Sequence, residues 1–197
     1  MISQTGKKWP ACSPHELWGT QMSVLKAHGL SEEAAVKGLF GGNILAPRGQ
    51  MDGEGSYSNL VQDLGVTSLR YPGGSLTEEY FDLSNPDATT ATHRDTGETI
   101  DFISISDFMD SAAALGSPVT IVLPNRHQLS RDKDGNGDRF ADVDEAELRG
   151  FVRDVVTGKY GDAKIESFEI GNEYWGSGKM SSQEYGRVAA EMSRIIS

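Results

Sequence analysis

The stretch PVTIVL at residues 118–123 decides the fold of this chain. It is short, apolar and rich in β-branched side chains, and Pro124 and Asn125 end it abruptly, a combination typical of a buried strand. Working outward, similar short runs lie at 39–45, 66–71 and 165–170. The sequence therefore predicts four strands with the 118–123 run in third place.

Amphipathic segments follow these runs. Apolar residues recur at helical spacing in 57–64, 106–115, 144–160 and 183–196. The last helix begins with the pattern Ser181-x-x-Glu184, a capping box. Strand and helix alternating four times predict an α/β fold of parallel βαβ units, whose apolar strands suit a sheet covered on both faces.

Two polar stretches, 75–99 and 126–142, are too long for plain connections and are candidate functional loops. Both follow predicted strands. In barrels and in open α/β sheets, sites collect at the carboxyl ends of the strands. The sequence therefore predicts that polar residues after the strands form the site.

Bulk composition narrows the function classes. The chain has 18 Lys and Arg against 29 Asp and Glu, a formal net charge of −11, which disfavours nucleic-acid binding. No apolar run reaches the length of a membrane span, and no signal peptide is visible, so we expect a cytoplasmic protein or one exported by a signal outside this chain. Residues 1–37 show no clean period, and we assign them to an irregular or helical segment ahead of one domain, 38–197.

The stretch SFEIGNEYW at residues 167–175 carries the strongest chemical signal. A carboxylic acid at a strand end, such as Glu173, can act as a general acid if burial against Tyr174 and Trp175 raises its pKa. Asn172 can bind a substrate hydroxyl, and the two aromatic rings offer a surface for a flat sugar. The alternative is a surface Asn-Glu turn without function.

The second-strand motif LRYPGG at residues 69–74 places Arg70 near a strand end. Its guanidinium can hold a carboxylate with two hydrogen bonds, and the paired glycines let backbone approach a ligand. Glu169 can line a barrel interior, or it can form a structural ion pair with Arg70. After the third strand, Asn125 and His127 can face a sugar site, although a solvated or capping histidine is the alternative.

The sequence DKDGNGD at residues 132–138 resembles the first half of a calcium loop. Its oxygen ligands would be Asp132, Asp134, Asn136 and Asp138. Position twelve, usually Glu, is Val143, and Asp-Gly-Asn-Gly also makes a good hairpin turn. Calcium binding and a solvated acidic turn both remain open. The histidines lack metal-ligand spacing, and no other cofactor is indicated.

Taken together, the motifs at 39–45, 68–75, 119–125 and 168–173 resemble those of retaining glycoside hydrolases with a (β/α)8 TIM-type barrel. The resemblance is greatest to the branch of α-L-arabinofuranosidases, β-xylosidases and heparanase-like glucuronidases. It implies that the chain holds the first four βα units of a barrel. It also implies that Glu173 is the general acid/base, that Asn172 binds the sugar hydroxyl, and that Arg70 supports the catalytic carboxylates.

Retaining hydrolysis needs a second carboxylate as nucleophile, about 5–5.5 Å from the first. The family supplies it from the seventh strand, beyond the four strands predicted here. We therefore expect activity on the O-glycosidic bonds of a poly- or oligosaccharide in the complete protein and none in the 197-residue chain alone. The missing half of the barrel, or self-association, would cover the open sheet edges. The alternative is a non-catalytic module that binds carbohydrate or calcium.

Overall fold

The computed structural model describes residues 41–44, 59, 61, 63–176 and 178–197. The strands are β1 (Gly41–Asn43), β2 (Ser68–Tyr71), β3 (Thr90–Thr92), β4 (Thr99–Asp101), β5 (Val119–Leu123), β6 (Leu129–Lys133), β7 (Arg139–Ala141) and β8 (Ile165–Ile170). The helices are α1 (Leu76–Glu79), α2 (Ile105–Leu115), α3 (Glu145–Val156) and α4 (Ser182–Ile196).

A parallel sheet of four strands, in the order β1–β2–β5–β8, organises the fold. All three neighbouring pairs are parallel. Each sheet strand lies within one of the four predicted runs, so the prediction of a mixed α/β fold with parallel strands is confirmed. The helices predicted at 106–115, 144–160 and 183–196 correspond to α2, α3 and α4. Of the helix predicted at 57–64, Asn59, Val61 and Asp63 are helical.

The apolar core lies on one face of this sheet. Leu69, Tyr71, Val119, Ile121 and Leu123 are buried on alternate positions of β2 and β5 and pack with the apolar stripes of α2, α3 and α4. The Tyr71 and Phe108 rings stack with centroids 4.7 Å apart. This face fixes the position of the strands, and so of the loops that follow them.

The opposite face is polar. Register pairs Asn43 with Arg70, Thr120 with Ser167 and Val122 with Glu169. The Thr120 and Ser167 hydroxyls lie 2.9 Å apart. Val122, on the same side as Glu169, is nevertheless fully buried. That the sheet is covered on both faces stays a prediction.

Each of the two long polar stretches holds strands of a β-hairpin, and the first also contains helix α1. The antiparallel pair β3–β4 lies between β2 and α2, and the pair β6–β7 lies between β5 and α3. Both hairpins follow the carboxyl end of a sheet strand. They therefore belong to the edge of the sheet at which the polar site residues were predicted.

The predicted N-terminal segment 1–37 lies outside the described residues. Within the described ranges, no helix is long and apolar enough to cross a membrane.

Candidate functional site

Arg70 is the centre of a hydrogen-bonded group on the polar face. Its Nε and Nη2 donate to the two carboxylate oxygens of Glu169, at 2.6 and 2.7 Å. Nη2 also donates to Oδ1 of Asn172 at 3.1 Å, and Nη1 donates to Oδ1 of Asn43 at 3.0 Å. Parallel pairing brings these residues together from β1, β2 and β8. The ion pair predicted between Glu169 and Arg70 is therefore present.

Gly171 shapes the turn that ends β8. Its φ is +72°, in the left-handed region that favours glycine. A Cβ at this position would lie 2.1 Å from Nδ2 of Asn125, so a side chain cannot be accommodated. The glycine lets the turn press against Asn125 at the end of β5 and then present Asn172 and Glu173.

Glu173 follows in an unusual conformation. Among the described residues, Glu173 alone combines a side chain with a positive φ, which is 42°. Such conformations persist where the surrounding structure imposes them. The Gly176 N–H donates to the carbonyl oxygen of Glu173 at 2.8 Å. The Glu173 side chain is exposed, so burial against Tyr174 and Trp175, the condition under which the sequence allows a raised pKa, is not seen in the described residues.

Tyr174 stacks on Tyr185 of α4, with ring centroids 4.2 Å apart. Trp175 meets the edge of Tyr174 and remains 67% exposed. The aromatic pair is therefore divided. Tyr174 anchors the loop to α4, and Trp175 leaves a large ring surface open beside Glu173.

A cleft of about 230 Å³ lies at the carboxyl ends of the strands. Its lining includes residues from three connections: Ser75, Glu78, Glu79, Asn125, Arg126, Asn172, Glu173, Tyr174 and Gly176. Of the residues predicted to bind substrate, it unites Asn125, Asn172 and Tyr174 with the predicted catalytic Glu173. Arg70 lies next to this group through its bond to Asn172.

Asn125 and His127 differ in their surroundings. Asn125 is fully buried, and within the described residues its amide oxygen and nitrogen have no hydrogen-bond partner. His127 is at the surface, with Nε2 3.4 Å from Nη2 of Arg126. Desolvation, with the charges of Arg94 and Arg126, lowers the pKa of His127. A neutral imidazole is therefore favoured there.

Glu78 is the member of the cleft that sequence reasoning missed. It lies in α1, within the polar stretch after β2, and is only 5% exposed. Its carboxylate accepts hydrogen bonds from the backbone N–H groups of Asn125, Arg126 and Asn172. Nothing in the local sequence distinguishes Glu78 from its neighbour Glu79, because its partners are 47 or more residues away along the chain.

The acidic hairpin uses its oxygens internally. Oδ1 of Asp134 accepts the N–H groups of Asn136 and Asp138, at 2.8 and 3.1 Å, and its other oxygen pairs with Arg187. Oδ1 of Asp138 accepts from the Ser181 hydroxyl at 2.7 Å. Asp132 lies in β6. The segment forms the turn of the β6–β7 hairpin.

In the described part of the chain, no three His, Cys, Asp or Glu side chains are grouped to hold a metal ion. Calcium binding at Asp132, Asp134, Asn136 and Asp138 stays a prediction, for which calorimetric titration with Ca²⁺ is the test. Millimolar Ca²⁺ without heat would contradict it.

Comparison with known proteins gives one informative likeness. The chain is similar to an intracellular exo-α-(1→5)-L-arabinofuranosidase of Halalkalibacterium halodurans, with 29% identity over 146 residues. The aligned region covers 70% of this chain but only 29% of that protein. No family model matches the chain, and no solved structure matches it. The likeness supports a relationship to glycoside hydrolases, without singling out a branch among them.

Proposed function

We propose that this chain is the N-terminal part of a retaining glycoside hydrolase with a (β/α)8 barrel, and that Glu173 is its general acid/base. The observation that carries the proposal is that Asn172 and Glu173, which follow β8, lie with Arg70 of β2 at the carboxyl ends of strands in one parallel sheet, with β5 between them. Barrel enzymes build their sites at that end. The likeness to an arabinofuranosidase supports the same class of reaction.

In this mechanism Glu173 protonates the leaving glycosidic oxygen and later removes a proton from the attacking water. Exposure to the cleft suits that role, because the carboxyl group must reach both substrate and water. Asn172 donates a side-chain N–H to a sugar hydroxyl, since its Oδ1 already accepts from Arg70. Arg70 fixes that amide orientation and holds Glu169. Trp175 supplies a face for a sugar ring.

In the proposed enzyme, the nucleophilic carboxylate comes from the remainder of the barrel. That remainder, or a second copy of the chain, would also cover the sheet edges β1 and β8. Light scattering on the 197-residue chain tests the second arrangement. If the chain is a monomer in solution, self-association does not cover the sheet edges, and the remainder of the barrel is left to do so.

The test of the acid/base role is Glu173→Gln in the protein with the complete barrel, assayed on aryl α-L-arabinofuranosides and other aryl glycosides. Because an amide cannot transfer the proton, we expect kcat/KM to fall by at least about a hundredfold on substrates with poor leaving groups. Glu166→Gln, at an exposed position of β8, is the matched control. Activity within about tenfold of wild type would overturn the assignment. The anomer released first, observed by NMR, distinguishes retention from inversion.

Exposed Trp175 also supports a second candidate, a carbohydrate-binding module without catalysis. Stacking on sugar rings needs an open aromatic face, and this ring has one. Trp175→Ala should abolish binding on a glycan array, whereas Phe140→Ala, which removes another exposed ring, should not. Binding without turnover by the protein with the complete barrel would favour the module.

A further inference from the structure

We infer that Glu78 is a positioning residue, which holds the end of β8 against the end of β5 and thereby fixes Asn172 and Glu173. Its catalytic consequence rests on the proposed function. The clamp itself concerns backbone geometry and can be tested in this chain without any enzymatic assay.

The two oxygens of Glu78 divide between the two strand ends. Oε2 accepts from the Arg126 N–H at 2.8 Å and from the Asn125 N–H at 3.1 Å. Oε1 accepts from the Asn172 N–H at 3.0 Å, with a longer contact of 3.3 Å to Asn125. One carboxylate therefore connects the second and third residues after β5 with the second residue after β8.

The requirement is for a carboxylate rather than for shape alone. Glu78 is 5% exposed, and both of its oxygens accept backbone N–H groups. These hydrogen bonds favour the carboxylate and oppose the desolvation that raises its pKa. A glutamine of the same shape offers one accepting oxygen and turns an NH2 group towards backbone donors. It could hold one strand end, but not both.

The clamp acts next to the strained residue of the site. Asn172 is held on both sides, by Glu78 at its N–H and by Arg70 at its side chain. Glu173 follows at once with φ 42°, and its carbonyl accepts from Gly176. Surrounding structure must impose a left-handed conformation on a non-glycine residue. Because both oxygens of Glu78 already accept N–H groups, this carboxylate orients its neighbour and is not itself offered for attack on substrate.

Amide hydrogen exchange in the 197-residue chain, followed by NMR, tests the clamp directly. In the wild-type chain we expect the Asn125, Arg126 and Asn172 amides to exchange at least about a hundredfold more slowly than in unstructured peptide. In Glu78→Gln, the amides of at least one of the two strand ends should exchange about tenfold faster or more, beyond any acceleration of the α4 amides, which reports the loss of global stability. Glu79→Gln is the matched control, since Glu79 lines the same cleft and contacts His93 instead. Its three amide rates should stay within about twofold of wild type.

Unprotected amides in the wild-type chain would overturn the inference, and that measurement needs no variant to fold. Unchanged rates in Glu78→Gln would overturn it as well. In the protein with the complete barrel, Glu78→Gln should lower kcat by at least about tenfold with KM within about twofold, because orientation of Glu173 rather than ground-state binding is lost. An inactive wild-type protein whose three amides are still protected would reject the proposed function and leave the clamp standing.

Discussion

Glu78 and Glu184 are buried to the same extent, each 5% exposed, but their charges are stabilised in different ways. Glu184 lies in the first turn of α4. It accepts from Nε and Nη2 of Arg139 at 2.7 and 3.0 Å, and from the Arg139 N–H at 2.9 Å. The Arg139 guanidinium is the main reason that its pKa falls to about 2.

Glu78 is stabilised by backbone N–H groups without a paired guanidinium of this kind, and desolvation wins, so its pKa is raised. The pKa shifts are therefore opposite although the exposed fractions are the same. For Glu184 a full positive charge in contact outweighs desolvation, whereas Glu78 lies deeper in the protein and peptide dipoles offset its heavier desolvation only in part. Glu184 fastens the β6–β7 hairpin to α4, and Glu78 fastens two strand ends at the cleft. Glu184 thus stabilises the fold, whereas Glu78 shapes the site.

Removing Glu184 should have the largest effect on stability. Glu184→Ala leaves Arg139 half-buried without its partner and breaks the capping box, and we expect a loss of about 3 to 4 kcal/mol in the free energy of unfolding at pH 7. Urea denaturation measures it. Glu191→Ala, on the same helix, removes an exposed partner of Arg194 and should cost much less, because exposed ion pairs are screened by water. Equal losses of stability in Glu184→Ala and Glu191→Ala would contradict the stabilising role given to Glu184.

The pH dependence of stability should be the next largest effect. The folded pKa of Glu184, about 2, lies below its ordinary value of 4.5. Its contribution is thus fully present above pH 4.5 and is lost as the pH falls towards 2. From pH 5 to pH 2 the wild-type chain should lose on the order of 2 to 3 kcal/mol more than Glu184→Gln. If the stabilities of wild type and Glu184→Gln changed equally with pH, the ion pair of Glu184 with Arg139 would be contradicted.

Glu78→Gln should cost less, about 1 to 2 kcal/mol at pH 7, because one accepting oxygen is retained. Its pH dependence should have the opposite sign. A raised folded pKa means that the folded state takes up a proton before the unfolded state does, so wild type gains stability relative to the variant as the pH falls from 7 towards 4.5. Urea denaturation across this range checks the direction. If the difference in stability between wild type and Glu78→Gln became smaller as the pH falls, the raised pKa of Glu78 would be contradicted.

The smallest expected effect concerns the cap that accompanies Glu184. Ser181 accepts from the Glu184 N–H at 3.2 Å and donates to Asp138 at 2.7 Å. Ser181→Ala should destabilise the chain by about 1 kcal/mol in thermal or urea unfolding. Ser182→Ala, one residue later and exposed, is the control and should change little.

Local pattern predicted much of this fold. The four sheet strands, three of the helices and the capping box at Ser181 and Glu184 follow from short-range periodicity and capping chemistry, which are encoded within a few residues. The pair of Arg70 with Glu169 could also be anticipated, because both lie in strands and carry opposite charge. The hairpins β3–β4 and β6–β7 were anticipated only as long polar stretches, or in the second case as an alternative to a calcium loop.

Parts of the candidate site were beyond local pattern. Glu78 and Glu79 are adjacent and chemically identical, yet only Glu78 is directed at the strand ends. The stacking of Tyr174 on Tyr185 could not be read from local pattern either, because it depends on how α4 packs against the loop. Both outcomes depend on which elements meet in space.

By itself, the sequence determined the order of strands and helices and the identity of the reactive groups that follow the strands. Those properties arise from side-chain periodicity and the chemistry of single residues. The tertiary structure alone decided that Glu78 reaches Asn125 and Asn172 and that Glu184 reaches Arg139. Hydrogen bonds between residues 45 or more positions apart exist only once the sheet and its helices are packed.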